Sequence, residues 1–262
     1  MTTLIIQTLL LAMTLVTLIW LLSFFIGRVD IIDAFWGPGF LLIAGLCHWQ
    51  TRSTGWNRPE TLLLAMVALW SLRLGAHLAI RVWRDPHEDR RYAAMRTRHD
   101  PGFRWKSLGI VFLLQGLIMW FVALPVTAAY AAGLPAVHIM LAAGGVLCWA
   151  VGLYFETVGD WQLVRFRACP GNRSEVLNTG LWSLTRHPNY FGDFAVWWGI
   201  WLFSIACGAP FWTVLSPAVM SLFLMKVSGV GLLEKDIAER RSGFTDYVRS
   251  TNAFFPGYKR RQ

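Results

Sequence analysis

Between positions 155 and 193 the chain reads FETVGDWQLVRFRACPGNRSEVLNTGLWSLTRHPNYFGD, its densest run of side chains able to bind or transfer charge. Glu156, Asp160 and Arg167 repeat at four and seven residues, so on a helix they share one face. With Arg165 they present carboxylates to hydroxyl donors and guanidinium groups to anions, the pairing that a nucleotide asks for. The same spacing also suits a solvated helix end whose charges pair with one another. Arg186, His187, Asn189, Tyr190 and Asp193 then fall within eight residues. Pro188 biases His187 away from helical geometry and itself suits a first helical turn, so a helix is expected to start there. Free N–H groups and the positive dipole end at such a start favour an anion, and Arg186 and His187 reinforce that preference. Asn189 and Tyr190 lie four and three residues before Asp193, so an amide, a phenol and a carboxylate converge on one face.

The elements that must position these groups are apolar. Of the 262 residues 55% are hydrophobic and 15% charged, a balance that does not fit water as the main solvent. Apolar runs fall near 4–26, 34–50, 61–83, 107–131, 135–158, 191–209 and 211–232. Most approach the roughly 20 residues that cross a bilayer core, and no alternating ten-residue strands of the barrel type occur. The expectation is an all-α integral membrane protein, one polytopic domain over 1–262 with about seven transmembrane helices in one bundle. The helix beginning near 136 is expected to continue past the membrane surface and to end at Pro170-Gly171.

Charge orients that bundle. The segments 84–106, 159–190 and 233–262 hold 18 of the 24 Lys and Arg residues. By the positive-inside rule they face the cytoplasm, which puts the C-terminus inside and the N-terminus outside; Arg52 and Arg58 run against the trend. The net charge of +9 therefore reflects an anionic leaflet rather than nucleic acid. The four cysteines have no metal-ligand or disulfide spacing, and no GxGxxG or P-loop occurs, so neither a zinc site nor a soluble-type nucleotide domain is expected. In the third span Trp70, Arg73, His77, Arg81 and Arg84 form one slowly turning stripe. Arg73 lies roughly 15 Å from the span's inner end by the helical rise, too deep to snorkel easily. Such an arginine lines a polar site or forms a structural pair with Asp33 or Glu156.

RHPNYFGD, preceded by GLWSLT, resembles the C-terminal signature of the sterol reductases and steroid 5α-reductases. Gln162, Phe166-Arg167 and Pro170 fall at positions similar to a sterol-reductase stretch, and Phe244, Tyr247 and Pro256 resemble the family's closing aromatic element. The likeness covers about 156–257. VDIIDAFWGPGF, EDRRYAAMR and VSGVGLLEK look most like the bacterial branch of 5α-reductase-like proteins.

The resemblance implies an enzyme of a bacterial cytoplasmic membrane that uses NADPH to reduce an activated carbon–carbon double bond in a hydrophobic substrate entering from the lipid bilayer. It implies cofactor contacts at Glu156, Asp160, Arg167, Asn189 and Asp193, with Glu156 standing where the family has Asn. Arg73, Arg165, Arg186, His187, Tyr190 and Tyr247 are the further candidates around the cofactor. The steroid enzymes' Gln-Glu pair on the second helix and Tyr on the third are not found at the corresponding places, where Asp30, Asp33, Trp36 and the Arg73 stripe stand instead. Tyr190, Asp33 and His77 are thus the candidate catalytic residues.

An RHPxYxG element also occurs in membrane methyltransferases that use S-adenosylmethionine on isoprenylcysteine or phospholipids. The repeated arginines suit a phosphate-bearing cofactor better than a sulfonium. A channel or transporter would explain Arg73 and His77 but not RHPNYFGD.

Overall fold

The computed structural model describes residues 1–51, 59–133, 138–172, 174–227 and 243–258, so Arg52, Arg58 and most of VSGVGLLEK lie outside the described residues. No strand occurs among the described residues, and helices account for the apolar runs within them. Four helices are long and apolar enough to cross a membrane: Thr2–Ile26, Pro59–Arg84, Phe103–Val122 and Ile139–Ala168. The expectation of seven spans goes beyond this. Trp36–Gln50 has 15 residues, which rise about 22 Å against a core of about 30 Å. The run 107–131 is broken after Val122, ahead of Pro125, which lacks the N–H that a continuous helix would use.

The chain divides into two compact units. The first comprises Met1–Ile139 and Ser204–Ser216. It contains α1 (Thr2–Ile26), α2 (Ile31–Ala34), α3 (Trp36–Gln50), α4 (Pro59–Arg84), α5 (Arg90–His99), α6 (Phe103–Val122) and α7 (Leu124–Ala131). Gly27 in the left-handed region closes α1 by donating its N–H to Ser23 O. α3 and α4 cross closely: a Cβ on Gly37 would lie 2.1 Å from Ser71 O. Val16, Ile19, Trp20, Ile32, Tyr92, Phe103 and Phe112 share one buried cluster, so the polar helix α5 is anchored by Tyr92 in the apolar core.

The second unit comprises Met140–Phe203 and Pro217–Gln262. Its frame is α8 (Ile139–Ala168) and α9 (Pro188–Ala206), which begin and end where the proline signals direct. The two run antiparallel along glycines seven residues apart. A Cβ on Gly145 would meet Phe203 N at 2.7 Å, one on Gly152 would meet Val196 N at 2.5 Å, and one on Gly192 would meet Glu156 N at 2.4 Å. Seven residues are two helical turns, so these glycines form one flat stripe that lets the backbones approach.

One end of the pair is capped by the loop 177–187, α10 (Phe244–Ser250) and the tail after it. Gly257 donates its N–H to Leu184 O, the Arg186 N–H bonds Asn252 O, and Thr185 Oγ1 bonds Phe254 O at 2.8 Å. Phe254 and Phe255 pack edge-on against Phe191 and Phe194.

Candidate functional site

In the second unit the glycine crossing joins the two halves of the polar run. Glu156, Asp160 and His187 are 3%, 6% and 6% exposed, and Asn189 Nδ2 donates to Asp160 Oδ1 at 3.1 Å across the helix pair. Asn189 Oδ1 accepts the Tyr190 N–H at 3.1 Å, so the amide is held between α8 and its own helix start rather than by Asp193. The His187 and Tyr190 rings stack nearly parallel, 5.5 Å apart at 9°. Asp193 is half-buried one turn further along α9. Arg165 and Arg167 are exposed on the last turns of α8, and the Arg165 guanidinium lies 5.0 Å from the Trp161 ring.

Two of the expected cofactor residues carry structure as well. Arg186 Nη1 donates to Val248 O at 3.1 Å and Thr251 O at 2.6 Å, capping the C-terminal end of α10. Tyr247 is buried and its hydroxyl donates to Trp182 O at 2.5 Å, while Trp182 Nε1 reaches Gly159 O at 3.0 Å. Gln162 Oε1 accepts the Leu181 N–H at 3.1 Å. These bonds fold the loop and the tail onto the end of α8.

The first unit gathers a separate group around Asp33. Tyr92 donates its hydroxyl proton to Asp33 Oδ1 at 2.6 Å, and Arg91 Nη2 bonds Asp33 Oδ2 at 3.0 Å. Gln115 Nε2 donates to the Tyr92 oxygen at 2.9 Å, and Trp36 Nε1 donates to Gln115 Oε1 at 2.5 Å. Asp33 therefore takes partners from α5. Arg73 and His77, half-buried on α4, each take part in polar or ring interactions. Arg81, further along the same stripe, pairs with Asp89 at 2.5 Å, and Asp89 accepts from Arg91 Nε at 3.0 Å. Arg28 holds Asp30 with two parallel bonds of 3.0 and 2.7 Å and donates to the carbonyls of Val82, Asp85 and His87 at and beyond the end of α4. Arg96 grips Glu88 in the same two-pronged way.

Burial pushes the Asp33 carboxyl above its ordinary range, and Arg91 and the Tyr92 hydroxyl offset only part of that. Burial, then the Asp33 charge, raises the Tyr92 phenol well above its usual value. Arg91 stays charged: burial works against it, but Asp33 and Asp89 more than compensate. The proton between Tyr92 and Asp33 is thus held on oxygen atoms shielded from water, with a cation fixed beside them. Tyr92 and Gln115 were not among the residues singled out by spacing. Gln115 carries the one carboxamide in the apolar run 107–131, which marks it by type, and Tyr92 closes the charged EDRRY stretch.

A family model described as a protein of unknown function, DUF1295, matches residues 19–251. The chain belongs to the DUF1295 family. No curated protein and no solved structure matches it. The matched span takes in both the Asp33 group and the Glu156–Asp193 group.

Proposed function

We propose that this DUF1295 protein is a membrane-embedded, NADPH-dependent reductase of a carbon–carbon double bond in a lipid-like substrate of the steroid or isoprenoid enone type. The observation that carries the reading is the meeting of Glu156 and Asp160 with His187, Asn189, Tyr190 and Asp193 at one end of the α8–α9 pair, with Arg165 and Arg167 exposed beyond it. This donor set fits a dinucleotide. The inner carboxylates and the Asn189 amide accept and donate to ribose hydroxyls and a carboxamide, and the outer guanidinium groups suit phosphates.

When bound, NADPH supplies hydride. Arg165, Arg167 and Arg186 are the residues that would hold its phosphate end. Asp160 orients Asn189, and the His187–Tyr190 stack walls the inner end of the site. Tyr190, in the same unit as these groups, is a candidate to supply the proton, and Asp33, which accepts a bond from the Tyr92 hydroxyl, and His77 are the other candidates.

The proposed topology has seven crossings, the shorter helices included. Its N-terminus is outside and its C-terminus in the cytoplasm of a bacterial inner membrane, following the distribution of Lys and Arg. The apolar substrate reaches the site from the bilayer.

A second reading, a methyltransferase using S-adenosylmethionine, is favoured by one observation: the inner groups Glu156, Asp160 and Asp193 are acidic, which suits a cationic sulfonium. The mass spectrum of the ligand that co-purifies with gently solubilised protein separates the two. NADPH or NADP⁺ supports the reductase, and adenosylmethionine or its demethylated product defeats it.

A further inference from the structure

We infer that Trp36 and Gln115 are positioning residues that give the hydrogen-bond chain ending at Asp33 a single direction, keeping the Tyr92 hydroxyl proton aimed at Asp33 Oδ1. The inference deepens the proposed reduction and rests on it only for the use made of the proton.

The direction comes from donor chemistry. The two ends of an amide are normally told apart only by their partners, but an indole N–H can donate and cannot accept. Trp36 Nε1 lies 2.5 Å from the Gln115 amide, so the atom facing it must be the oxygen. The Gln115 nitrogen then faces Tyr92 at 2.9 Å, and nitrogen there only donates. The phenol oxygen must accept that bond, and its single proton is left to Asp33 Oδ1 at 2.6 Å. Asp33 Oδ2 accepts from Arg91 Nη2 at 3.0 Å, so the chain closes on a fixed cation.

A backbone feature supports the placement. The six residues Leu108–Leu113, just before Gln115, wind as a π-helix. Each residue added to a turn rotates the remainder of the helix by about 100°, and such segments recur where a helix must aim a functional side chain. Here it delivers the carboxamide to Trp36 and Tyr92.

The charged and titratable groups that face Asp33 are Arg81 from α4, Asp89 before α5, and Arg91 and Tyr92 from α5. The Tyr92 bond lowers the Asp33 pKa, so its loss moves the carboxyl further up.

The test is an infrared pH titration of the carboxylic-acid band of Asp33 in nanodisc-held protein, the band being assigned by its disappearance in Asp33→Asn. Trp36→Phe touches neither Asp33 nor Tyr92, yet it frees the Gln115 amide to turn over and compete for the phenol proton. The Asp33 midpoint should rise by the order of one pH unit. In a Gln115→Leu background there is no amide to turn, so Trp36→Phe should leave the midpoint unmoved. Gln115→Glu, which puts an acceptor where the donor was, should raise the midpoint as Trp36→Phe does, and it serves if that variant does not fold. An unmoved midpoint in these variants, or an equal rise in the Gln115→Leu background, overturns the inference. Neither substrate nor cofactor is present, so failure here leaves NADPH binding intact, and failure to bind NADPH leaves this titration intact.

Discussion

Gly192→Ala tests the frame on which the second site is built. The added Cβ would lie 2.4 Å from Glu156 N, 2.6 Å from Gly152 O and 2.7 Å from Glu156 Cβ. None of these atoms is the end of a flexible side chain, so relief requires α8 and α9 to part by roughly 1 Å at this level. Asn189 Nδ2 stands 3.1 Å from Asp160 Oδ1, and that much separation takes the pair to about 4 Å, beyond hydrogen-bonding range. Overpacking costs about 1–3 kcal/mol and loss of a buried bond to a carboxylate about 1–3 kcal/mol more. At roughly 2–4 °C per kcal/mol the thermal midpoint should fall by about 4–24 °C. Gly144→Ala, on α8 with nothing within 4 Å of its Cβ, is the control and should be neutral or gain up to about 1 kcal/mol. Thermal unfolding of both variants in one detergent decides it. If Gly192→Ala melts with Gly144→Ala, the glycine crossing does not hold the site together.

Arg28→Ala should destabilise the first unit by about 3–5 kcal/mol in denaturant titration, because it leaves Asp30, 3% exposed, without its two-pronged partner. Asp89 titrates below its ordinary 3.8: burial opposes ionisation, but the bonds from Arg91 outweigh it. A depressed carboxyl contributes stability that is present above its unfolded value and lost as pH falls through its folded one. Asp89→Asn should therefore flatten the acid limb of a stability–pH curve below about pH 4 while lowering stability at neutrality. Tyr247→Phe removes the bond to Trp182 O and should cost about 1 kcal/mol in thermal unfolding with cofactor affinity unchanged; lost affinity at an unchanged midpoint would make Tyr247 a ligand-contacting residue instead.

Where local chemistry decides, the sequence was legible. Pro170 and Pro188 set the end of α8 and the start of α9 because proline restricts its own residue and the one before it whatever the tertiary context. The shared face of Glu156 and Asp160 is a matter of helical spacing alone. Their meeting with Asn189 is not: it depends on glycines at 145, 152, 159, 192 and 199 aligning in space, and a seven-residue glycine spacing is easily passed over in a membrane sequence rich in small residues.

The Asp33 group was half visible. Asp33 and Trp36 stood out beside the second span, but their partners arrive from α5 and α6, about 60 and 80 residues away in the chain. Depth and spacing make Arg73 a candidate partner of Asp33; Arg91 and Tyr92 hold that place because α5 is drawn down by the burial of Tyr92. The apolar runs are legible as helices, but composition alone does not register that the 15 residues of α3 rise only about 22 Å or that a long run breaks ahead of Pro125.

Thermal stabilisation of the detergent-solubilised wild-type protein by NADPH and by S-adenosylmethionine, each across a concentration series with Arg167→Ala in parallel, tests the reductase reading most directly. A ligand that binds the folded state raises the midpoint in proportion to the logarithm of its concentration once above its dissociation constant. The reading predicts a concentration-dependent rise with NADPH, a smaller one in Arg167→Ala at the same starting midpoint, and none with adenosylmethionine. A rise with adenosylmethionine and none with NADPH would contradict it.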